Sequence, residues 1–442
     1  MYFAHQDLSS MPDTPSNMEQ KRRNLLSTVG AAAAFGLTGC VGDGDNGNAS
    51  PSPDGTDTDG DEDNRQFKLG ILTALSGDLQ YVGDMYLTSA EIIFDKLSTS
   101  DSMFQNTTLS YVSRDTETDA EQALSGAEEL VESENVDALF GPVSSGVATA
   151  VSNYAFNQNI PFFVQPGERS LTAGENCLRT SLRLTVNLGQ LATISTKWAQ
   201  NNLGSRAYII YPNYTYGLQI RDFSEKTINE VGGEVVDTAG LAPGATEWGP
   251  VIEDINNADP DYVQIAHPGG GAAAFLIQAS SRNLDVPIVG EALLERLTGA
   301  LTDDQFENLP ETYWTGIRYY HKIDNQLNEN FVNEYNKKND EIPTMTAGLT
   351  YANYEFFLKC VDEADDYSTD GIIKACEDTS AETVLGEASI RGCDHQGSPP
   401  LFVGKLTGID QSKDFGQYTL LNEYDSSTAL VPCEETECPG FD

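Results

Sequence analysis

The segment FKLGILTALSGDLQYVGDM, residues 67–85, constrains the fold of this chain more than any other stretch. Residues 67–75 are largely apolar and have the length of a buried strand. The polar turn Ser76-Gly77-Asp78 follows, and apolar residues between positions 85 and 94 then recur with the spacing of one helix face. A strand, a glycine turn and a helix form the first unit of an α/β domain. Ligands of open parallel sheets bind at the carboxyl ends of the strands, so the turn at Ser76 is the first candidate for a site.

The same unit recurs along the chain, with polar or glycine-containing turns after the apolar runs. The predicted strands form two series, residues 67–75, 109–112, 136–140 and 160–164 and then residues 206–211, 234–238, 262–266 and 287–290. Predicted helices separate them. Alternating units of this length predict two α/β domains whose parallel sheets are flanked by helices and joined by right-handed crossovers.

The N-terminal region has the pattern of an export signal. The twin arginines Arg22-Arg23 precede a short Ala-rich stretch that is too short to span a membrane, and Leu37-Thr38-Gly39-Cys40 resembles a lipobox. We interpret residues 1–39 as a twin-arginine lipoprotein signal peptide, Cys40 as the lipid anchor and residues 40–66 as a disordered acidic linker. An ordinary signal anchor with an incidental cysteine is the alternative.

The charge balance excludes some partners. The chain has 68 acidic and 25 basic residues and a formal net charge of −43. Such a surface repels nucleic acid and anionic lipid head groups. Because the acids are spread along the whole chain, they indicate a protein solvated for high salt, where self-repulsion is screened. A specific role in binding cations is the alternative.

Six cysteines follow Cys40, and an even number in an exported protein predicts disulfides. Cys433 and Cys438 are close enough in sequence to close a small loop, while Cys360, Cys376 and Cys393 lie in the last quarter of the chain. The connectivity stays open at this point. The cysteines lack the paired spacing of a structural zinc site, and we expect neither a metal nor a cofactor.

Several motifs together resemble one known family. They are Leu75-Ser76-Gly77 followed by Gly83-Asp84-Met85, Asp115 after the second strand, Gly141-Pro142-Val143-Ser144-Ser145, Ile160-Pro161, Tyr216-Gly217, Asp261-Tyr262-Val263 leading to His267, and Pro287-Ile288-Val289-Gly290-Glu291. In order and spacing, residues 67–408 resemble the type I solute-binding proteins of ABC importers, in particular those for branched-chain amino acids, amides and urea.

The resemblance implies a two-lobed α/β fold of the type I periplasmic-binding-protein class, with three crossings between lobes. They would lie near Thr180-Ser181, in residues 313–316 and in residues 393–396. Residues 67–180 with 315–393 would form the first lobe, and residues 181–314 with 394–442 the second lobe and a tail. We interpret Asp394-His395-Gln396 as a hinge hydrogen-bond group.

The resemblance also implies a ligand site between the lobes. Ser145, with Ser144 beside it, would hold a ligand carboxylate, and Glu291 an ammonium. Tyr81 and Tyr216 would pack the ligand, and Arg169 could bind a carboxylate at the cleft lip. The full predicted ligand-binding set is Ser76, Tyr81, Ser144, Ser145, Gln165, Gly167, Tyr216, His267 and Glu291.

The predicted function is therefore that of a non-enzymatic, monomeric substrate-binding lipoprotein of an ABC importer, outside the cytoplasmic membrane. Its partners would be an amino acid or small amide, the permease subunits and, through the lipid, the membrane. A ligand-sensing receptor of the same fold is the first alternative. A nucleotide-dependent enzyme is the second, because the run Gly269–Ala274 matches the glycine pattern of dinucleotide-binding turns and Glu291 follows at a suitable distance.

Overall fold

The computed structural model describes residues 65–77, 79–99, 103–105, 107–242, 244–439 and 441. The signal segment and Cys40 lie outside these residues. The strands are β1 (Arg65–Thr73), β2 (Thr107–Asp115), β3 (Ala138–Gly141), β4 (Phe162–Val164), β5 (Ser181–Leu182), β6 (Arg206–Pro212), β7 (Glu234–Leu241), β8 (Tyr262–Ile265), β9 (Ile288–Gly290), β10 (Thr312–Ile317), β11 (Ser380–Thr383), β12 (Gly386–Ser389), β13 (Leu401–Asp410) and β14 (Phe415–Tyr424).

Helices connect most of these strands. They are α1 (Gln80–Ser98), α2 (Ala120–Glu128), α3 (Ser145–Asn157), α4 (Leu188–Asn202), α5 (Thr215–Glu230), α6 (Gly249–Ala258), α7 (Gly269–Ser281), α8 (Glu295–Thr298), α9 (Asp303–Glu307), α10 (Gln326–Asn339), α11 (Met345–Glu363) and α12 (Thr369–Asp378). Among the described helices, none is both long and apolar enough to cross a membrane.

The first sheet has the strand order β2-β1-β3-β4-β5 and is parallel throughout. Its strand β1 shows why both faces are covered. Phe67, Leu69 and Ile71 pack in the cluster that contains residues of α1 and α11, whereas Leu72 packs with residues of α2 and α3. Successive side chains of a strand point to opposite faces of the sheet. A strand in which both sets of side chains are apolar must therefore be covered on both faces.

The second sheet has the order β14-β13-β10-β9-β8-β6-β7. Strands β6 to β10 pair in parallel, and β13 and β14 extend the sheet as an antiparallel hairpin. Adjacent residues of β8 again belong to opposite faces, since Tyr262 packs in one core cluster and Val263 in another.

Sheet membership moves several boundaries predicted from the sequence. Pairing with β2 begins at Arg65, so β1 takes the last two residues of the predicted linker. Ser181 and Leu182 pair with β4 in the first sheet, and β10 stays in the second sheet as far as Ile317. The predicted lobe boundaries lie at residues 180 and 315. If each lobe is defined by its sheet, both boundaries move to the ends of these strands, because strand pairing continues beyond the point where the sequence pattern changes. The division of the chain into lobes stays a prediction.

The crossing segments lie side by side at Arg183, which is fully buried. Its guanidinium donates to the Oε1 atom of Gln396, with Nε at 2.9 Å, and to the carbonyl oxygen of Pro166 at 3.1 Å. It also donates to Thr172 and to the carbonyl oxygen of Glu168. Burial lowers the pKa of Arg183 to about 9. The side chain thus joins the segment after β5 to the segment around Gln396, and the hinge role of that group stays a prediction.

The disulfides differ from the small loop that the spacing allowed. Cys177 is bonded to Cys438, and Cys393 to Cys433. Cys360 and Cys376 are buried without a disulfide. Cys433 and Cys438 do not pair with each other, because the C-terminal tail folds back onto the segment around Gly174, whose N–H donates to the carbonyl of Thr436 at 2.8 Å.

Candidate functional site

The carboxyl ends of strands in both sheets carry the candidate residues. In the first sheet, Ser76 follows β1, Ser144 follows β3, and Gln165 to Gly167 follow β4. In the second sheet, the corresponding residues are Tyr216 after β6, His267 after β8, Glu291 after β9 and Arg318 after β10. Arg318 was not among the residues predicted from the sequence.

Arg318 lies where the candidate residues of the first sheet meet those of the second sheet. Burial raises the pKa of the Tyr86 phenol, on α1, and of the Tyr216 phenol, on α5. The Glu291 carboxylate raises the pKa of Tyr216 further, and the Arg318 cation acts against the rise in both phenols. A Cβ atom placed on Gly167 would lie 4.0 Å from an Nη atom of Arg318. Residues from the edges of both sheets therefore surround one guanidinium.

The turn after β3 lies beside Tyr86, whose hydroxyl donates to the carbonyl oxygen of Pro142 at 3.4 Å. Ser144 is the N-cap of α3 and makes no side-chain capping hydrogen bond, and Ser145 is exposed in the first turn. The first N–H groups of a helix have no partner within the helix and favour an anion. Ser144 and Ser145 thus lie at a helix N-terminus that directly follows the turn contacted by Tyr86.

The turn after β1 is organised by Asp115. Its Oδ1 atom accepts hydrogen bonds from the backbone N–H groups of Leu75 at 2.8 Å and of Glu117 at 2.9 Å. Burial acts to raise the pKa of Asp115, but hydrogen bonds from Ser76 and from these backbone groups hold it below its ordinary value. Ser76 is therefore engaged with Asp115. Tyr81 is 61% exposed.

Glu291 lies beneath the site and is 1% exposed. Its Oε1 atom accepts a hydrogen bond from Gln264 Nε2 at 2.5 Å. Its Oε2 atom is buried without a hydrogen-bond partner in the described residues. Burial raises the pKa of Glu291 to about 7. The carboxyl group is held among neutral donors within the second lobe.

His267 is also buried, at 1% exposure. Its ring meets Trp248 edge to face, with 5.2 Å between centroids. Burial lowers the pKa of His267, so the imidazole is neutral at neutral pH. In this position the ring packs between α6 and the start of α7. Of the residues predicted for the second lobe, Tyr216 alone is within electrostatic reach of Arg318.

The loop after β4 contacts the second lobe directly. Glu168 Oε1 accepts a hydrogen bond from Gln219 Nε2 on α5 at 2.8 Å. The Arg169 guanidinium lies over the ring of Phe223 on the same helix, 5.7 Å from its centroid. Arg169 is thus stacked on α5. Gln165 is buried and donates to Thr350 of α11 at 3.3 Å.

Two residues of the site were missed, and both lacked a local signal. Tyr86 looked like one more apolar position of α1, and Arg318 followed an aromatic strand without a motif. The sequence pattern predicts one aromatic strand over residues 313–320, which contains Arg318, whereas the observed strand β10 ends at Ile317. Residues 269–271, which suggested a dinucleotide turn, form the first turn of α7 itself. Within the described residues, no group of three or more His, Cys, Asp or Glu side chains could hold a metal ion.

Comparison with known proteins adds to this geometry. A sequence profile described as "Periplasmic binding protein" matches residues 66–413. A relative from Brucella abortus, named Leu/Ile/Val-binding protein homolog 7, is 22% identical over 336 residues, which are 72% of this chain and 83% of that protein.

Solved structures share the fold at similar identity. The amino acid ABC transporter substrate-binding protein of Pseudomonas fluorescens Pf-5 superposes with a TM-score of 0.73 at 19% identity, covering 85% of this chain and 99% of that one. An ABC transporter solute-binding protein of R. palustris, solved with benzoate, gives a TM-score of 0.66 at 22% identity, covering 81% and 96%.

Proposed function

This chain belongs to the periplasmic binding protein family, and we propose that it is the extracytoplasmic substrate-binding protein of an ABC importer. The family resemblance and the fold class predicted from the sequence are confirmed by the profile match and by the solved structures. The named relatives are solute-binding proteins rather than enzymes, in line with the expectation of no catalytic activity.

The observation that carries the proposal is the meeting of both sheets at Arg318. A solute in a cleft at this point would contact Tyr86 of the first lobe and Tyr216 of the second, with Ser144 and Ser145 nearby. Closure about the crossing segments would bury it, as hinge motions do in two-lobed binding proteins. Gln219 and Phe223 of α5, which already contact the loop after β4, would form part of the closed interface.

The solute class rests on the relatives and on the site together. The relatives described above are named for leucine, isoleucine and valine or for amino acids, or were solved with benzoate. These compounds share a carboxylate. We propose a small organic solute of this kind, an amino acid or small amide being the class predicted from the sequence, with the protein acting as a monomer that delivers it to the permease.

Binding at this cleft is expected to depend on Tyr216. A thermal-shift and calorimetry screen in high salt would cover amino acids, amides, urea and carboxylic acids. We expect at least one solute to bind, and Tyr216→Ala to weaken that binding about tenfold or more, because a buried aromatic wall is lost. Phe156→Ala is the matched control, since Phe156 is 48% exposed near the other end of α3. Equal affinities of the two variants, or no binding across the panel, would contradict the proposal.

The anchor at Cys40 remains a separate proposal from the sequence. If the twin-arginine signal leads to a lipidated Cys40, the wild-type protein will remain with the membrane fraction after cell lysis. Cys40→Ser is expected to move most of the protein into the soluble or culture fraction, because a lipid chain supplies the membrane affinity. Membrane association that survives this replacement would argue against lipid anchoring.

A further inference from the structure

We propose that Arg318 is the carboxylate-binding residue of the cleft and that the physiological solute is an organic carboxylate without an ammonium group. This inference rests on the proposed function, because it assumes that a solute binds in the cleft. It goes further by naming the residue that recognises the solute and the class of compound recognised.

Arg318 lacks the carboxylate partner that six other arginines have among the described residues. Carboxylates contact Arg114, Arg179, Arg206, Arg221, Arg296 and Arg391. Within the described residues, no acid is paired with Arg318, and its Nε atom is buried without a hydrogen-bond partner. The chain has 68 acidic residues, yet Arg318 is half-buried at a strand end, and none of those that the structure describes is its partner. Its guanidinium is therefore available to bind the anion of a solute.

The surroundings of Arg318 suit a carboxylate. A guanidinium presents parallel N–H groups that match the two oxygens of a carboxylate. Tyr86 and Tyr216 lie on opposite sides of the cleft and are neutral phenols at neutral pH, because burial raises the pKa of both. The Tyr216 hydroxyl can donate a hydrogen bond, whereas the Tyr86 hydroxyl already donates to the carbonyl oxygen of Pro142 and leaves its ring face for the solute. The lack of a side chain at Gly167 leaves room beside the guanidinium.

Two described acids follow strands β4 and β9, Glu168 and Glu291, and neither is placed to pair with an ammonium group. Glu291, the predicted ammonium ligand, is 1% exposed. Its Oε1 atom accepts a hydrogen bond from Gln264, and its Oε2 atom has no partner among the described residues but is buried as well. Glu168 is engaged with Gln219 of the second lobe. A zwitterionic amino acid would therefore lose the hydration of its ammonium without gaining an ion pair, which is costly in a closed cleft. An aliphatic or aromatic monocarboxylate has no such cost.

The test compares pairs of ligands that differ in the amino group alone, namely 4-methylpentanoate against leucine and 3-phenylpropanoate against phenylalanine, with benzoate, acetamide and urea added. Isothermal titration calorimetry in high salt gives the affinities. We expect a carboxylate to bind at least about tenfold more tightly than its amino acid. Arg318→Gln should weaken carboxylate binding about 100-fold, while Arg318→Lys should retain part of it.

Arg296→Gln is the control, because Arg296 is exposed and paired with Glu341. It should leave carboxylate affinity unchanged. A second readout is the melting temperature without ligand, which should not fall in Arg318→Gln, because the replacement removes an unpaired cation. A markedly lower melting temperature would show that Arg318 has a structural role and would overturn the inference.

The outcomes separate this inference from the proposed function. Tighter binding of leucine or phenylalanine than of the matched carboxylate, or unchanged binding in Arg318→Gln, would overturn the inference and leave a solute-binding protein. Binding of urea or acetamide alone would do the same. Absence of binding by every compound in this panel and in the wider screen would overturn both.

Discussion

Replacing Arg183 with methionine is expected to lower the free energy of unfolding by about 3 to 5 kcal/mol. The side chain is fully buried and donates to Gln396 and to the carbonyl oxygens of Pro166 and Glu168. Methionine fills a similar volume but leaves these acceptors without a donor, and each unsatisfied buried group costs about 1 to 3 kcal/mol. Because the hydrogen bonds join two crossing segments, their loss should loosen the hinge as well.

Urea unfolding at constant high salt, with the disulfides intact, measures this change. Arg179→Met is the matched control, because Arg179 is partly exposed and paired with the exposed Asp370. The control should lose less than about 1 kcal/mol, as surface ion pairs contribute little. If Arg183→Met also loses less than about 1 kcal/mol, the buried network does not stabilise the hinge.

Lowering the salt concentration from about 1 M to about 0.01 M is expected to reduce the melting temperature by on the order of 10 °C. The formal net charge is −43, and the Debye length grows from about 3 Å to about 30 Å over this range. Repulsion among surface carboxylates then acts across the whole protein rather than between neighbours alone. This is the result that the proposal of a protein adapted to high salt requires.

A local variant makes the cause of the salt effect testable. Glu128 and Glu132 are both exposed, lie four residues apart and act on the same phenol, that of Tyr154. Glu128→Gln with Glu132→Gln should raise the melting temperature in low salt and leave it unchanged in high salt. Sucrose, which is excluded from protein surfaces but does not screen charge, is the solvent control. If sucrose restores the low-salt melting temperature as fully as salt does, screening is not the cause.

Much of the fold followed from local pattern. The predicted strands and helices recur in the structure with ends displaced by a few residues, as for the strand predicted at 67–75 and found at Arg65–Thr73. Strand pairing decides such ends, and pairing depends on a partner distant in sequence. The disulfides illustrate the same limit, since Cys177 and Cys438 are 261 residues apart.

The candidate site was predictable in part. The sequence identified the strand ends that carry Ser144, Ser145 and Tyr216, because a polar turn after an apolar run can be recognised from the order of residues alone. The assignment of Glu291 to a ligand ammonium stays a prediction, and the structure adds that this carboxyl group is buried and accepts a hydrogen bond from Gln264. The burial of a side chain depends on which other elements pack against it, and the sequence of a single strand does not specify those elements.

The sequence by itself thus determined the opening unit of residues 67–85, the repetition of that unit and the family to which the chain belongs, because each of these depends on residues close together along the chain. Only the tertiary structure decided that Arg318 is the cation at the junction of the two sheets and that no acid in the described part of the chain is paired with it. Tyr86, Gly167, Tyr216 and Arg318 come from four separate segments, and a site of this kind exists only after those segments have folded together.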